Sequence, residues 1–340
     1  MNFTEIHQSG FERVLRAQSE DASYHGIVAV HNTARGPAVG GIRMWPYAEP
    51  DAALQDALRL ARAMSYKNAI AGLPFGGGKS VIVAVPAAQR THLLQSHARL
   101  INRLSGSYIG AGDVGISPAD VEYLTQLSPH VARAADAHLD SGYFTAVGLL
   151  AALRAAAQMT WHSEDLHNRY IVVQGCGKVG ASLAALLQPT GARIAVTDIN
   201  EQCAADVARA IGASMLDPDR ALTEACDILA PCAIGPVITR SNVSTLAARV
   251  IAGGANCQLE ADELSAVLAA RGILYIPDFV ANAGGVISGM ATLANWPFQR
   301  VEQCIAETYQ RVCDLVARAQ RTGQTVLAAA LERAHERLAG

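Results

Sequence analysis

The sequence predicts a two-domain α/β protein, on three observations. The chain has 340 residues, more than one hydrophobic core ordinarily fills. Its second half alternates β-branched strands with amphipathic helices, the rhythm of a parallel sheet with right-handed crossovers. The first third mixes strands and helices without that rhythm, and the two patterns meet near 135–145, in AADAHLDSGYFTAVG.

In the first part, GIVAVHN (26–32) reads as a strand. GPAVGGIRMWP (36–46) is glycine-rich and leads into a helix from about Asp51, with Pro50 and Asp51 suited to its start. Leu54, Ala57, Leu58, Ala61 and Met64 fall at helical spacing and give that helix one apolar face, to about residue 65. LPFGGGK then turns the chain into a strand, SVIVAV (80–85), ended by Pro86. A helix near 89–104, a strand or loop SYIGAGDVG (107–115) and a helix start at Ser117-Pro118-Ala119-Asp120 follow. In the second part RYIVVQG (169–175) is a strand, then come a helix to about Leu187, a strand RIAVTD (193–198) and a helix near 201–211. DILAP (227–231), RVIAGGAN (249–256) and ILYIPD (273–278) are further strands, with a helix near 260–270 and a helical tail after Pro297, amphipathic from 300 to 320.

Composition narrows the function classes. Hydrophobic residues are 51% and charged residues 17%, the balance of a well-buried globular chain rather than a disordered one. A net charge of -3 offers no electrostatic attraction for nucleic acid or an anionic membrane. No apolar run is long enough to span a bilayer and no signal-peptide pattern opens the chain, so a cytoplasmic location is expected. The seven cysteines form no CxxC pair and the ten histidines no HxxxH or HxH pair, so neither a disulfide framework nor a metal site is expected.

The clearest motif is Gly175-Cys176-Gly177-Lys178-Val179-Gly180, a G-x-G-x-x-G directly after a strand and directly before a helix. In such a turn the first glycine allows the bend, the second admits a pyrophosphate, and the third lets helix and strand pack. The helix N-terminus adds free N–H groups and a positive dipole end. Asp198 ends the next strand, where an acid would bond ribose hydroxyls and repel a 2′-phosphate, so NAD is the expected cofactor, with Ile199 beside it.

Three further residues stand out. Lys67 precedes AIAGLPF, and Lys79 stands between three glycines and SVIVAV. A lysine entering an apolar strand either snorkels or is desolvated for function. Asp113, in Tyr108-Ile109-Gly110-Ala111-Gly112-Asp113-Val114-Gly115, is either an Asx-turn former or a group that a ligand can approach closely.

Together these segments resemble the glutamate/leucine/phenylalanine/valine dehydrogenase family, nearest its branched-chain and aromatic members. The carriers run in order along the chain: Gly40-Gly41-Ile42-Arg43-Met44, Met64-Ser65-Tyr66-Lys67, Gly76-Gly77-Gly78-Lys79, Gly112-Asp113-Val114-Gly115, the Gly175 fingerprint, Ala230-Pro231-Cys232-Ala233, Gly254-Ala255-Asn256, and Pro277 through Gly285. The resemblance implies an N-terminal substrate-binding and oligomerisation domain (1–138) and a Rossmann-type, doubly wound NAD domain (139–317). C-terminal helices (318–340) would return to the first domain, and closure of a cleft would shield the reaction from water. Homo-oligomers are implied, as are an amino acid, a 2-oxo acid and ammonia as small-molecule partners.

The resemblance also implies roles. Lys67 would pair with the substrate α-carboxylate, Lys79 would stabilise oxygen charge and help activate water, and Asp113 would be the general acid/base. Asn256 would bond the substrate amino-acid group, and Asn282 and Thr145 would help place the nicotinamide, with Cys232 and Ala233 lining the cofactor site. Hydride would pass from Cα to the nicotinamide, water would add to the iminium, and ammonia would leave. Where relatives often carry a second Asn after the one matching Asn256, this chain has Cys257.

Glutamate enzymes hold the distal carboxylate with a lysine at the place of Val39 and a serine at the place of Gly289. Both anchors are missing, and a buried carboxylate without a partner would cost several kcal/mol. Val39, Gly40, Gly41, Met64, Ala111, Val286 and Gly289 are expected to form an apolar site for Leu, Val or Ile, or for Phe or Trp, since glycine at 289 leaves room. Ser288 would point elsewhere, Met64 has core packing as a competing explanation, Cys257 would be structural, and Trp45 and Trp161 are read as packing residues. The rival readings are a specialised tryptophan or aromatic amino acid dehydrogenase of secondary metabolism, and a catalytically inactive NAD-binding sensor or assembly protein.

Overall fold

In the computed structural model the described residues are 1–84, 90–133, 140–291 and 293–339. The chain divides into two compact units, Met1–Asp136 with Ala334–Gly340, and Ala137–Arg333. The boundary expected between 138 and 139 lies outside the described residues. Of the C-terminal stretch 318–340, only Ala334–Gly340 groups with the first unit.

The first unit contains β1 (Asn2–Glu5), β2 (Arg13–Gln18), β3 (His25–Asn32), β4 (Ala38–Trp45), α1 (Pro50–Ala71), β5 (Gly76–Val83), α2 (Arg90–Asn102), β6 (Tyr108–Gly112) and α3 (Pro118–Leu127). Its sheet runs in the order β1-β2-β3-β5-β4-β6. The first three pairings are antiparallel, and β4 runs parallel to both β5 and β6. Side chains alternate between two layers, as the two-residue period of a strand requires. Ile27, Ala29 and Val81 pack with Ala53, Ala57, Leu58 and Ala61 of α1. Val28, Val30 and Ile82 pack on the other face with Leu93, Leu94, Leu100 and Ile101 of α2 and Leu124 of α3. The Ser117 start is a capping box, its hydroxyl accepting from the Asp120 N–H while the Asp120 carboxylate accepts from the Ser117 N–H.

Several local readings are corrected here. The glycine-rich 36–46 segment does lead into α1, but it is itself a central strand, β4, which its sequence did not announce. β5 begins at Gly76, so the three glycines lie inside the strand rather than in a turn before it. Close backbone approach explains them: a Cβ at Gly77 would collide with the backbone of Ser65 on α1, and one at Gly76 with the Asn32 carbonyl. Asn68, fully buried, donates to the Gly76 carbonyl at 2.6 Å and ties α1 to that strand. α1 runs on to Ala71 and is ended by Gly72 at φ +75, so Lys67 is inside the helix and not beyond it. Arg337 donates to the carbonyls of Ala69 and Ile70 at 2.8 and 2.9 Å, satisfying the last turn of α1. Trp45 is 50% exposed and is not a core packing residue.

The second unit contains α4 (Ser141–Trp161), β7 (Tyr170–Gln174), α5 (Lys178–Leu187), β8 (Arg193–Thr197), α6 (Glu201–Ile211), β9 (Ser214–Met215), β10 (Ile228–Pro231), β11 (Val250–Ile251), α7 (Leu264–Ala270), β12 (Leu274–Tyr275), α8 (Asp278–Ala281), α9 (Gly284–Met290), α10 (Phe298–Ala306), α11 (Thr308–Thr322) and α12 (Val326–Leu338), the last crossing into Ala334–Gly340. Asp140 caps α4 by accepting from the N–H groups of Gly142 and Tyr143. Its sheet is parallel throughout, in the order β12-β11-β10-β7-β8-β9. That is the doubly wound arrangement, with its switch point between β7 and β10. The tail read as one amphipathic stretch from 300 to 320 is two helices meeting at Glu307. No helix among the described residues is long and apolar enough to cross a membrane. All seven cysteines are thiols, outside any disulfide.

Candidate active site

Strand order builds the first half of the site. Lys79 is on β5, Asp113 directly follows β6, and β4 lies between them. Adjacent strands are about 4.8 Å apart, so side chains from β5 and β6 must reach across roughly 10 Å to meet. They meet over Gly41 of β4. The Lys79 ammonium donates to Oδ2 of Asp113, and a Cβ at Gly41 would lie 2.8 Å from Nζ of Lys79 and 2.6 Å from Cβ of Asp113. Gly41 is the opening through which the pair forms. Gly40 has a different reason, since a side chain there would collide with the Gly78 carbonyl.

Lys79 is only 5% exposed. Burial lowers its pKa, the nearby Arg43 guanidinium acts in the same direction, and Asp113 opposes both. Burial alone would raise the Asp113 carboxyl, but Lys79 and Arg43 hold it below the usual carboxylate range. The two side chains therefore titrate as one coupled pair in a nearly dry setting, the arrangement expected of proton-transfer chemistry.

Sequence reasoning missed the groups behind the pair. Arg43 Nε donates to Asp113 Oδ2 at 3.2 Å, and its NH1 donates to Asp56 Oδ2 at 2.9 Å. Tyr47 and Arg59 donate to Asp56, each at 2.7 Å. Reading 36–46 as a strand would have found Arg43, because period two sets it on the same face as Gly41. A compositional signal was also present. Of the 27 Lys and Arg residues only Lys67, Lys79 and Lys178 are lysines. This chain uses arginine for ordinary charge and keeps lysine at three of the expected site positions.

The other expected residues of the first unit are Val39, fully buried, and Met64, Lys67 and Ala111, all half-buried. Met64 and Lys67 are one turn apart on α1.

In the second unit the glycine loop joins β7 to α5 at the switch point. Gly175 has φ +97, open to glycine at little cost, and a Cβ there would meet Ala233 at 2.6 Å. Cys232 and Ala233, after β10, thus form the opposite wall of the loop. A Cβ at Gly180 would collide with the Gly175 carbonyl, whereas one at Gly177 would have nothing within 4 Å. Gly177 and Lys178 are exposed, Val179 is half-buried, and no side chain caps the start of α5. An uncapped helix start beside an open Gly177 suits a pyrophosphate. Asp198 accepts from the Cys176 N–H at 2.7 Å through Oδ2 and from the Asn200 N–H at 2.8 Å through Oδ1. The acid therefore also holds the loop. Ile199 beside it is 97% exposed.

Asn282, 5% exposed, donates to Asn256 Oδ1 at 3.0 Å. Its own Oδ1 is buried with no hydrogen-bond partner, an acceptor ready for a ligand N–H. Thr145 is buried and donates to the Ser141 carbonyl at 2.7 Å. Val286 and Gly289, three residues apart on α9, are half-buried, and a Cβ at Gly289 would have nothing within 4 Å. Ser288 is buried and donates to the Gly285 carbonyl. Cys257 has φ +53, a conformation in which Asn is favoured over most residues, and its N–H donates to Asp278 at 2.6 Å. These residues fit a nicotinamide dinucleotide: a phosphate cradle, an acid after the second strand, and an orphaned amide acceptor.

Comparison with known proteins agrees with this geometry. Residues 11–129 match the Glu/Leu/Phe/Val dehydrogenase dimerisation domain, and residues 197–340 match the Glutamate/Leucine/Phenylalanine/Valine dehydrogenase domain. The chain is 38% identical to the leucine dehydrogenase of Geobacillus stearothermophilus over 332 residues, covering 96% of this chain and 90% of that one. It is 39% identical to the valine dehydrogenase of Streptomyces albus, covering 98% and 93%. The crystal structure of L-tryptophan dehydrogenase from Nostoc punctiforme superposes with a TM-score of 0.86 at 35% identity, covering 97% and 96%. With a paired lysine and aspartate on one unit, a dinucleotide cradle on the other and relatives along its whole length, the chain belongs to the glutamate/leucine/phenylalanine/valine dehydrogenase family of amino acid dehydrogenases.

Proposed function

We propose that this protein oxidises an apolar L-amino acid with NAD, releasing the 2-oxo acid, ammonia and NADH in a reversible reaction. The observation that carries the reading is the Lys79–Asp113 pair assembled over Gly41. A bound dinucleotide supplies the hydride acceptor. Lys67 pairs with the substrate α-carboxylate. Once Cα is oxidised to the iminium, Asp113 and Lys79 take the proton from a water as its oxygen bonds to Cα. They return a proton to the nitrogen of the resulting carbinolamine, then take the hydroxyl proton as the carbonyl forms and ammonia leaves. Asn256 bonds the amino-acid group, while Asn282 and Thr145 orient the nicotinamide. Asp198 favours NAD because its carboxylate repels a 2′-phosphate.

An apolar substrate is supported by Val39, which is fully buried and offers no cation to a distal carboxylate. The open space at Gly289 favours larger side chains, so a tryptophan or other aromatic amino acid dehydrogenase is the second reading. An inactive sensor would have no use for a buried lysine paired with a carboxylate. The N-terminal match to a dimerisation domain supports a homo-oligomer. The test is NADH absorbance with NAD and L-leucine, valine, isoleucine, phenylalanine, tryptophan, alanine and glutamate. Turnover should favour one of the first five, and Lys79→Ala and Asp113→Asn should each abolish it while NAD still binds. A preference for alanine or glutamate would overturn the reading.

A further inference from the structure

We infer that Arg43 is a positioning residue: anchored by Asp56, its guanidinium fixes the Asp113 carboxylate for proton transfer. This rests on the deamination reading and extends it to a residue that acts through Asp113 rather than on the substrate. The geometry is a chain of alternating charges. Tyr47 and Arg59 hold Asp56, Asp56 holds Arg43 at 2.9 Å, and Arg43 holds Asp113 at 3.2 Å through the oxygen that also accepts from Lys79. Arg43 and Asp113 are 23% and 24% exposed at their side chains, so water screens their contact only in part. The guanidinium engages two different carboxylates from two positions of one rigid plane, which a lysine ammonium at the same place cannot reproduce. Without Arg43 the Asp113 carboxylate would keep Lys79 and the Val114 N–H but lose the side-chain donor that fixes it from the β4 side.

Charge balance points the same way. The groups facing the pair are Arg43 from β4, Asp56 and Arg59 from α1, and the hydroxyls of Tyr47 and Tyr108. Two carboxylates, Asp56 and Asp113, are matched by two guanidiniums, Arg43 and Arg59. The cluster is therefore neutral when Lys79 carries no proton, and Arg43 opposes protonation of Lys79. Removing it should let Lys79 hold its proton to higher pH.

The experiment compares wild type with Arg43→Gln, Arg43→Lys and Asp56→Asn, measuring kcat and KM for the amino acid against pH. In Arg43→Gln, kcat should fall about ten- to hundredfold with KM for the amino acid changed less than about threefold, and the midpoint of the rising limb should move up by about half a unit to one unit. Arg43→Lys should recover part of kcat, and Asp56→Asn, which removes a carboxylate and leaves Arg43 charged, should move the midpoint down. Because the chain has three lysines, a 13C-lysine label gives three side-chain signals, and titrating that of Lys79 reads the same opposed shifts in the two variants without turnover. An unchanged midpoint and an unchanged Lys79 titration in Arg43→Gln, or in Asp56→Asn should the first variant not fold, would overturn the inference. Absence of wild-type turnover with every amino acid would instead sink the deamination reading, and the lysine titration would still decide the role of Arg43.

Discussion

Gly41 is the floor on which Lys79 meets Asp113: an added methyl group would stand 2.8 Å from the lysine nitrogen and 2.6 Å from Cβ of the aspartate. Neither neighbour can yield without parting from the other. Gly41→Ala should therefore lower kcat by about a hundredfold, the usual scale for displacing a reacting group by about 1 Å. Circular dichroism and the unfolding midpoint should stay close to wild type, since Gly41 is half-buried. An active Gly41→Ala enzyme would show that the pair is not the proton-transfer site.

Asp198 should set the cofactor preference and support the loop that carries it. Asp198→Ser removes the carboxylate that would face a 2′-phosphate and weakens the hold on the Cys176 N–H. The ratio of kcat/KM for NADP to that for NAD should rise by roughly five- to thirtyfold, about 1–2 kcal/mol of relieved repulsion. The ratio measured in the variant against wild type checks this, and an unchanged ratio would remove Asp198 from discrimination.

Substrate size should be readable at Gly289. A Cβ there meets nothing within 4 Å, so Gly289→Val is accommodated by the fold. Its methyl groups would occupy space otherwise open to a large side chain, at about 0.8 kcal/mol for each buried substrate CH₂ they displace. KM for phenylalanine and tryptophan should rise about tenfold or more, with leucine and valine changed less than about threefold. Equal effects on all four would take Gly289 out of the specificity surface.

His97 should make the protein acid-sensitive. It is fully buried, with Nδ1 2.9 Å from the Tyr24 hydroxyl and Nε2 2.9 Å from Ser80 Oγ. Burial lowers its pKa from 6.5 to about 3. Burial, with Arg62 nearby, lowers His31 from 6.5 to about 4. A folded-state pKa below the unfolded one means that the unfolded chain takes up the proton first. The stability these histidines contribute is complete above pH 6.5 and is lost as pH falls toward those values, at up to about 1.4 kcal/mol per pH unit for each. Urea unfolding of His97→Gln between about pH 6 and pH 4 should show a shallower loss than wild type. Parallel slopes would show that His97 is not a source of acid sensitivity.

Where the sequence carried a periodic signal, it was readable. β7, β8, the glycine fingerprint and Asp198 stand where local pattern set them, because a parallel strand and its phosphate turn are defined by neighbours in sequence, whereas the strands read over 249–256 and 273–278 shrink to Val250–Ile251 and Leu274–Tyr275. The first unit was harder because its decisive contacts are between strands. Three glycines in a row resemble a turn until Ser65 is seen to press on Gly77. β4 carries two adjacent glycines, which weaken any strand pattern, so the shared face of Gly41 and Arg43 stayed hidden, and with it the link to Asp56. Lys79 and Asp113 were singled out by their apolar and glycine-rich surroundings and given roles only by the family resemblance, and their meeting over β4 depends on a strand order that no local signal encodes. α1 was read short because its apolar stripe stops before its hydrogen bonds do.

The hold of Arg337 on Ala69 and Ile70 has a consequence for synthesis. Although nearly all of the first unit is made by residue 136, the carbonyls at the end of its longest helix wait for a side chain made 268 residues after Ala69. A nascent chain halted at residue 136 would present a frayed helix end beside Lys67. Expression of 1–136 alone should therefore yield a looser body than the same residues within the finished protein.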